Sequence, residues 1–217
     1  MKYVGADHAF HDEVYVKEWA ERFSISPARQ QLFENITGLL KAHTRDNALV
    51  VELGTGPGFL AEFILEICPK IDYVGIDFSR EMLEIAGERI KRFEGRFRFV
   101  QMDLTKDLLA NHFETPVDAI ISTWSLHDLG SPLAIRHVYR NCRDVLNGIL
   151  INGDFIDPVI PGVTYEPGRI PIAKHLEMLE VMEYTGVSCK GVYESDTENP
   201  MPANNYACIV GEHRTAS

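Results

Sequence analysis

Basic residues and cysteine motifs are scarce in this 217-residue sequence. Its 21 lysines and arginines face 32 aspartates and glutamates, so a net charge of −11 leaves no positive field to hold a polyanion. Nucleic acid and anionic membrane surfaces are therefore poor candidate partners. The four cysteines show no CxxC spacing and lie in apolar runs, as Cys68 does, which predicts buried free thiols in a reducing compartment.

Long apolar runs are also missing. No run approaches the ~20 residues of a membrane span, and the first residues contain no apolar signal region, so we expect a cytoplasmic protein without a membrane partner. His8 and His11 are spaced i, i+3 but have no third metal ligand nearby, so no metal site is predicted. The hydrophobic content of 45% is too high for a disordered chain, and we expect one domain over residues 1–217.

Apolar periodicity predicts an α/β fold. Residues 1–43 contain two helical patterns that are split at Ser26–Pro27. From residue 48 onward the pattern alternates, with strands predicted at 48–53, 72–77, 97–102, 118–123 and 148–155 and helices at 59–68, 80–93 and 132–146. This alternation implies right-handed crossovers and a parallel sheet with helices on both faces.

The pattern changes after residue 155. A proline-rich connection at 157–171 leads into a helix predicted at 172–185. Two further strands are predicted at 187–194 and 205–211, joined by a polar loop. We therefore expect the sheet to end in an antiparallel hairpin.

A glycine-rich loop, Gly54-Thr55-Gly56-Pro57-Gly58, follows the first strand. Such a loop lets a ligand approach the backbone closely, and the next helix offers its N-terminal N–H groups. The dinucleotide fingerprint would need glycine where the chain has Phe59, and a carboxylate at Glu52 would attract an ammonium or sulfonium. The loop favours a cationic ligand, although a turn that only packs strand against helix remains open.

Acidic residues also end the next two strands. Ligands of parallel sheets bind at the carboxyl ends of the strands. Asp77 is placed to accept hydrogen bonds from a ribose diol, and Asp103 is placed to accept one from an exocyclic amine or to act only as a turn residue. Ser79 is a candidate cap of the following helix, whose Met82 would face the sheet.

These motifs, together with the segments 118–129 and 145–151, occur in the order found in class I S-adenosylmethionine-dependent methyltransferases, which the sequence resembles over residues 30–212. The resemblance implies a Rossmann-like, doubly wound sheet of seven mostly parallel strands with an antiparallel last strand. It also implies S-adenosylmethionine as cofactor and S-adenosylhomocysteine as product. The implied cofactor contacts are Glu52, Gly54, Thr55, Gly56, Gly58, Asp77, Phe78, Met82, Met102, Asp103, Leu104, Ser122, Thr123 and Trp124.

Methyl transfer from a sulfonium is an in-line displacement, so the protein has to align the acceptor, exclude water and remove a proton where the acceptor carries one. His127 follows the fourth strand and is the candidate catalytic base, with a structural role for its imidazole as the alternative. The resemblance places a substrate cover at 157–171. The candidate substrate contacts are Tyr15, Trp19, Asp154, Tyr165 and Arg169.

The sequence thus predicts a methyltransferase that acts on a small molecule, with O-methylation favoured over N- or C-methylation. No asparagine-proline-proline-tyrosine motif follows the fourth strand, which disfavours the subclasses that methylate bases. A nicotinamide-dependent oxidoreductase and a non-catalytic cofactor-binding relative remain as alternatives. The oligomeric state is open, with a homodimer as one option.

Overall fold

In the computed structural model, residues 8–23, 26–156, 166–194 and 205–214 are described. The chain begins with a 3-10 turn, Ala9–His11, and two helices, α1 (Glu13–Arg22) and α2 (Pro27–His43). Asp12 caps α1 by accepting a hydrogen bond from the backbone of Tyr15, and Ser26 caps α2 directly before a proline at its first position. The predicted split between the two leading helices is confirmed.

Seven strands form one sheet in the order β3-β2-β1-β4-β5-β7-β6. The strands are β1 (Leu49–Leu53), β2 (Asp72–Asp77), β3 (Phe97–Gln101), β4 (Val117–Thr123), β5 (Leu146–Phe155), β6 (Thr185–Tyr193) and β7 (Tyr206–His213). Strands β1 to β5 pair in parallel, and β7 runs antiparallel to both of its neighbours, β5 and β6. The predicted fold class is therefore confirmed, including the antiparallel last strand.

Helices cover both faces of the sheet. They are α3 (Phe59–Ile67), α4 (Arg80–Ile90), α5 (Pro132–Val145) and α6 (Ile172–Val181). One apolar core packs α5 and α6 against the sheet, and a second core packs α2 and α3 against the opposite face. No helix in the described ranges is long and apolar enough to cross a bilayer.

Two predicted helix ends differ from the structure by more than one residue. The helix predicted at 80–93 ends at Ile90 and continues as a 3-10 turn, Lys91–Phe93. The helix predicted at 172–185 ends at Val181, because Glu183 adopts a left-handed conformation (φ 62°) and the backbone N–H of Tyr184 turns back to the carbonyl of Leu179. Strand β6 accordingly begins two residues earlier than predicted, at Thr185.

The strand order reverses between β1 and β4. Crossovers on either side of this pair run to opposite faces, which opens a crevice at the carboxyl ends of the strands. The register aligns these ends, since Leu53 pairs with both Ile76 of β2 and Ser122 of β4. The residues that follow β1, β2 and β4 therefore meet at one edge of the sheet.

Candidate active site

A cavity of about 320 Å³ lies at this edge, within the range of roughly 300–1,000 Å³ found for small-molecule sites. It extends from the ends of β1 to β3 to the ends of β4 and β5, under the leading helices. Most of the predicted site residues line it: Trp19, Glu52, Gly54, Thr55, Gly56, Asp77, Phe78, Met82, Met102, Asp103, Leu104, Thr123, Trp124 and His127. The structure thus brings together the residues that follow four separate strands.

Two predicted cofactor contacts are not among the lining residues. A Cβ at Gly58 (φ 82°) would lie 3.1 Å from the backbone of Ala86, so this glycine allows α3 to pack closely against α4. Ser122 is fully buried, and its hydroxyl donates to the carbonyl of Leu53, 3.0 Å away. Both residues therefore lie outside the cavity wall, and their role as cofactor contacts stays a prediction.

The predicted substrate contacts are also divided. Trp19 lines the cavity, whereas Tyr15 is half exposed on α1, its ring packed against that of Phe10. Asp154 and Arg169 are not among the lining residues, and their contacts are with other side chains, described below. Tyr165 and most of the predicted cover at 157–171 lie outside the described residues.

The glycine loop shapes one end of the cavity. Gly54 (φ 67°) and Gly56 (φ 52°) both adopt the left-handed conformation that glycine tolerates best. A Cβ at Gly54 would lie 2.0 Å from the hydroxyl oxygen of Ser125, whereas a Cβ at Gly56 would meet no atom within 4 Å. Gly54 thus permits close contact with the segment after β4, and Gly56 leaves its backbone open to a ligand.

Asp77 is fixed by two backbone donors. Its Oδ2 accepts from the N–H of Gly56 at 2.8 Å, and its Oδ1 accepts from the N–H of Ser79 at 2.9 Å. Burial raises the pKa of Asp77, while these backbone hydrogen bonds act to lower it. Each oxygen keeps a lone pair for a further donor, so the carboxylate suits a pair of hydroxyl groups.

The neighbouring wall is apolar and ends in an acid. Phe78, Met82, Met102 and Leu104 line it, as the sequence predicted. Asp103 lines it as well, but its carboxylate accepts hydrogen bonds from Thr105 at 2.6 and 2.9 Å and pairs with Lys106 at 2.8 Å. Burial acts to raise the pKa of Asp103, and the bonds to Lys106 and Thr105 outweigh it, so the pKa is lowered and the group remains an acceptor.

Glu52 is 1% exposed, although it lines the cavity. Its Oε2 contacts the hydroxyl of Thr55 at 3.0 Å and also the phenol of Tyr73 on β2. Burial raises the pKa of Glu52 to about 8, against the opposing effect of these two hydrogen bonds. The sequence prediction of an ionised carboxylate at Glu52 is therefore incomplete, because it did not include the contact with Tyr73. The position of Tyr73 in its strand predicts only an ordinary core residue.

At the other end of the cavity, Asp154 holds His127. The Nδ1 of His127 lies 2.7 Å from Asp154 Oδ1, and the backbone N–H of His127 donates to Asp154 Oδ2 at 2.9 Å. Burial acts to lower the pKa of His127, but the charge and hydrogen bond of Asp154 outweigh it and raise the pKa. The imidazole is thus fixed in orientation by a carboxylate that sequence analysis assigned to the substrate.

A second carboxylate and a loop complete this end. Asp128 Oδ1 lies 3.4 Å from His127 Nε2 and lines the cavity. A Cβ at Gly168 would lie 2.0 Å from the carbonyl oxygen of His127, so the described end of the predicted cover, residues 166–171, packs directly on this residue. Within that segment, Arg169 pairs with Glu166 at 2.6 Å and its guanidinium lies 4.3 Å from the ring centre of Phe155.

Aromatic residues of the N-terminal segments also line the cavity, and most of them were not predicted from the sequence. Phe10 packs edge-on against Trp19 at 5.7 Å, and Phe23 stacks on Phe59 at 4.0 Å. The hydroxyl of Ser79 donates to the carbonyl of Phe10, which ties this segment to the start of α4. The signal available in the sequence was the density of aromatic rings before residue 35, which also fits a packed core.

Among the described residues that line the cavity, the one lysine or arginine is Arg29, which was not predicted from the sequence. It is half-buried, with its guanidinium 4.2 Å from the ring centre of Phe23 and 5.2 Å from that of Trp124. Burial lowers its pKa. Trp124 adopts a left-handed backbone conformation (φ 48°), uncommon for a residue other than glycine and a mark of functional sites.

Comparison with known proteins identifies a matching domain. Residues 50–148, slightly under half of the chain, match a family model described as a methyltransferase domain. The squalestatin tetraketide synthase of Phoma sp. (strain C2932) is 27% identical over 144 residues, or 62% of this chain. The uncharacterized phycocyanin operon protein W of Pseudanabaena tenuis (strain PCC 7409) is 37% identical over 51 residues, or 24% of this chain. These matches span 5% and 48% of the two relatives.

Solved structures share the fold at low identity. The N-methyltransferase NodS from Bradyrhizobium japonicum WM9, in complex with S-adenosylhomocysteine, has a TM-score of 0.68 and 13% identity, covering 94% of this chain and all of its own. An O-methyltransferase family protein from Burkholderia thailandensis has a TM-score of 0.68 and 16% identity, covering 97% and 65%. The CMeT domain of the citrinin polyketide synthase has a TM-score of 0.70 and 15% identity, covering 94% and 57%.

Proposed function

We propose that this chain, a class I S-adenosylmethionine-dependent methyltransferase by its matched domain and its fold, methylates a small acceptor from which His127 removes a proton. An acceptor hydroxyl is the leading candidate. The observation that carries the proposal is the imidazole of His127, which lines the cavity and is held by Asp154 at 2.7 Å.

The residues of the β1 to β3 edge fit the cofactor. Asp77 has lone pairs for the two ribose hydroxyls, and the apolar wall of Phe78 and Met102 fits an adenine ring. The open backbone of Gly56 gives room for the methionine part. The positive charge of Arg29 suits the carboxylate of the methionine part. The carboxyl group of Glu52 suits the ammonium of the same part. When bound, S-adenosylmethionine supplies an activated methyl group.

His127 would act as the general base. With its Nδ1–H donated to Asp154, the neutral imidazole has a lone pair on Nε2 to accept the proton of the acceptor O–H. The acceptor oxygen would then form its bond to the methyl carbon as the bond between that carbon and the cofactor sulfur breaks, with S-adenosylhomocysteine as the leaving group, and the carboxylates of Asp154 and Asp128 would stabilise the imidazolium. The same two carboxylates raise the pKa of His127, which makes it a stronger base.

The acceptor half of the cavity is largely aromatic. Phe33, Trp124 and Phe155 line it beside His127. These aromatic walls favour a small acceptor with an apolar or aromatic body. Apolar walls also limit water near the reacting atoms, which would otherwise compete for the base.

Methylation of an acidic carbon is the second candidate. It is favoured by the likeness to the CMeT domain of a citrinin polyketide synthase and by the partial match to a tetraketide synthase. A carbon flanked by two carbonyl groups also has to lose a proton before it attacks the methyl group, so the same base serves both reactions.

Three acceptor classes test the proposal: phenols, β-ketoacyl thioesters and primary amines. The protein is incubated with each and S-adenosylmethionine, and mass spectrometry identifies which compound gains a methyl group. We expect product from a phenol, with a loss on the order of 10²–10⁴-fold in His127→Gln, the range that general-base catalysis contributes. The exposed His112 provides the control variant His112→Gln, which should retain full activity.

Two outcomes contradict the proposal. Full activity in His127→Gln would remove the base, and product from amines alone would overturn the choice of acceptor. Binding of S-adenosylhomocysteine without product from any class would favour the non-catalytic alternative.

A further inference from the structure

Three oxygen atoms beside the glycine loop lie within hydrogen-bond distance of one another. Thr55 Oγ1 is 3.0 Å from Glu52 Oε2 and 2.7 Å from the phenol oxygen of Tyr73, and that phenol also contacts Glu52 Oε2. All three side chains are buried, with exposures between 1% and 4%. The carboxyl group of Glu52 therefore belongs both to a closed triangle of oxygens and to the cavity wall.

Counting protons decides the charge of this triangle. Three short oxygen contacts need three protons if each is to be a hydrogen bond. The hydroxyls of Thr55 and Tyr73 supply two, so an ionised Glu52 would leave one contact as a repulsion between lone pairs. A protonated Glu52 supplies the third, and the ring then closes with each oxygen donating once and accepting once.

We propose that burial beside Tyr73 and Thr55 keeps Glu52 a neutral carboxylic acid before the cofactor binds, and that this acid releases its proton to solvent when the α-ammonium of the cofactor arrives. The inference rests on the proposed cofactor and adds to it a proton that leaves on binding. The O–H bond of Glu52 breaks, and the carboxylate that forms pairs with the ammonium. Both hydroxyls then donate to this carboxylate, and the contact between Thr55 and Tyr73 relaxes.

The surroundings of Glu52 support the neutral form. The titratable groups that act on it are Tyr73 and Asp77, both on β2, and the negative charge of Asp77 disfavours a second carboxylate nearby. Burial raises the pKa of Glu52 to about 8. A cation in the cavity reverses this balance, because an opposite charge within a few ångströms favours the ionised form.

A proton that leaves on binding makes the affinity depend on pH. Well below the pKa of Glu52, affinity for the cofactor should increase about tenfold for each unit of rising pH, because binding releases one proton. Tyr73 is a positioning residue in this scheme. Its loss removes a donor from the carboxylate, which should weaken binding about tenfold and move the pH at which affinity levels off upward.

Calorimetry tests the inference with S-adenosylhomocysteine, which has the ammonium but no sulfonium. Binding is measured at pH 6.5 in buffers of different ionisation enthalpy, whose effect on the observed enthalpy gives the number of protons released. We expect close to one proton for the wild type and none for Glu52→Gln, whose amide can donate in place of the acid but cannot ionise. Tyr73→Phe should still release a proton on binding, and the pH at which its affinity levels off should be higher than in the wild type.

Each other result has a distinct meaning. Binding without proton release by the wild type would overturn the inference and leave the proposed function intact. Release that persists in Glu52→Gln would assign the proton to another group, such as Asp77, and would also overturn it. Release with S-adenosylmethionine but not with S-adenosylhomocysteine would overturn the role of the ammonium. No binding of either compound to folded wild-type protein would instead contradict the proposed function.

Discussion

The two halves of the cavity are built in different ways. At the β1 to β3 edge, Asp77 is held by backbone N–H groups of its own turn and of the adjacent glycine loop. At the β4 to β5 edge, His127 is held by a side chain 27 residues away, and Trp124 lies against Arg29 of α2. The first half is held by backbone groups that follow two neighbouring strands, whereas the second depends on contacts between side chains that only the packed fold brings together.

The largest effect should come from the half built by distant contacts. We expect Asp154→Asn to reduce turnover about 10³-fold, within the range of general-base catalysis, while the affinity for S-adenosylhomocysteine is unchanged. Without the carboxylate, burial lowers the pKa of His127, so the rise of kcat/KM with pH should move to lower pH.

The pH profile of the wild type sharpens this test. Because the base acts in its neutral form, kcat/KM should rise with pH to a midpoint above the ordinary histidine value of 6.5. Asp144→Asn, at an exposed position of α5, is the matched control and should keep the wild-type profile. A wild-type profile in Asp154→Asn would mean that this carboxylate has only a structural role.

Asp77→Ala should produce the converse result. Losing the acceptor of two hydroxyl groups should weaken binding of S-adenosylhomocysteine about 10²-fold, since a hydrogen bond to a charged group contributes roughly 1.5–3 kcal/mol. Calorimetry measures the dissociation constant, and Asp72→Ala, at the exposed start of β2, is the control. Comparable loss of affinity in both variants would remove Asp77 from the ribose position.

Glu52 should make the stability of the protein depend on pH. Its pKa is about 8 in the fold against an ordinary value of 4.5, so the folded state binds more protons than the unfolded chain between these values. Stability of the wild type should therefore fall as pH rises through this window, by up to ~1.4 kcal/mol per pH unit. The difference in unfolding free energy between Glu52→Gln and the wild type, measured by denaturant at pH 5 to 8, should grow with pH. A constant difference would indicate an ordinary carboxylate.

The smallest effects should come from alanine substitutions at two glycines of the same loop. One substitution should mainly lower stability, and the other should mainly weaken binding. Gly58→Ala places a Cβ 3.1 Å from the backbone of Ala86 at φ 82°, so we expect a loss of ~1–3 kcal/mol in unfolding free energy and little change in affinity. Gly56→Ala meets no atom within 4 Å and bears only the strain of its left-handed backbone (φ 52°), so it should lower stability less than Gly58→Ala does and weaken S-adenosylhomocysteine binding more. Denaturant unfolding and calorimetry on both variants measure the two effects, and equal behaviour would contradict the distinction.

Much of the site followed from positions at strand ends. Asp77 and Met102 were predicted because each comes at the end of a parallel strand, and the carboxyl ends of parallel strands meet at one edge of the sheet. Asp154 was predicted at the correct edge, but its two hydrogen bonds with His127 were not foreseen, because they join side chains from different segments. Ser122 illustrates the same limit, because alternation along a buried strand does not tell which side chain turns inward.

By itself, the sequence determined the α/β fold, the order of its elements and the ligand edge of the sheet, because periodicity and turn residues act over a few positions. The tertiary structure alone decided which distant groups share a desolvated space. Tyr73 looks like a core residue in its strand, and Arg29 looks like a helix-surface cation. Their chemistry arises from neighbours that the fold supplies, since burial and nearby charge, rather than residue type, set how such groups ionise and what they bind.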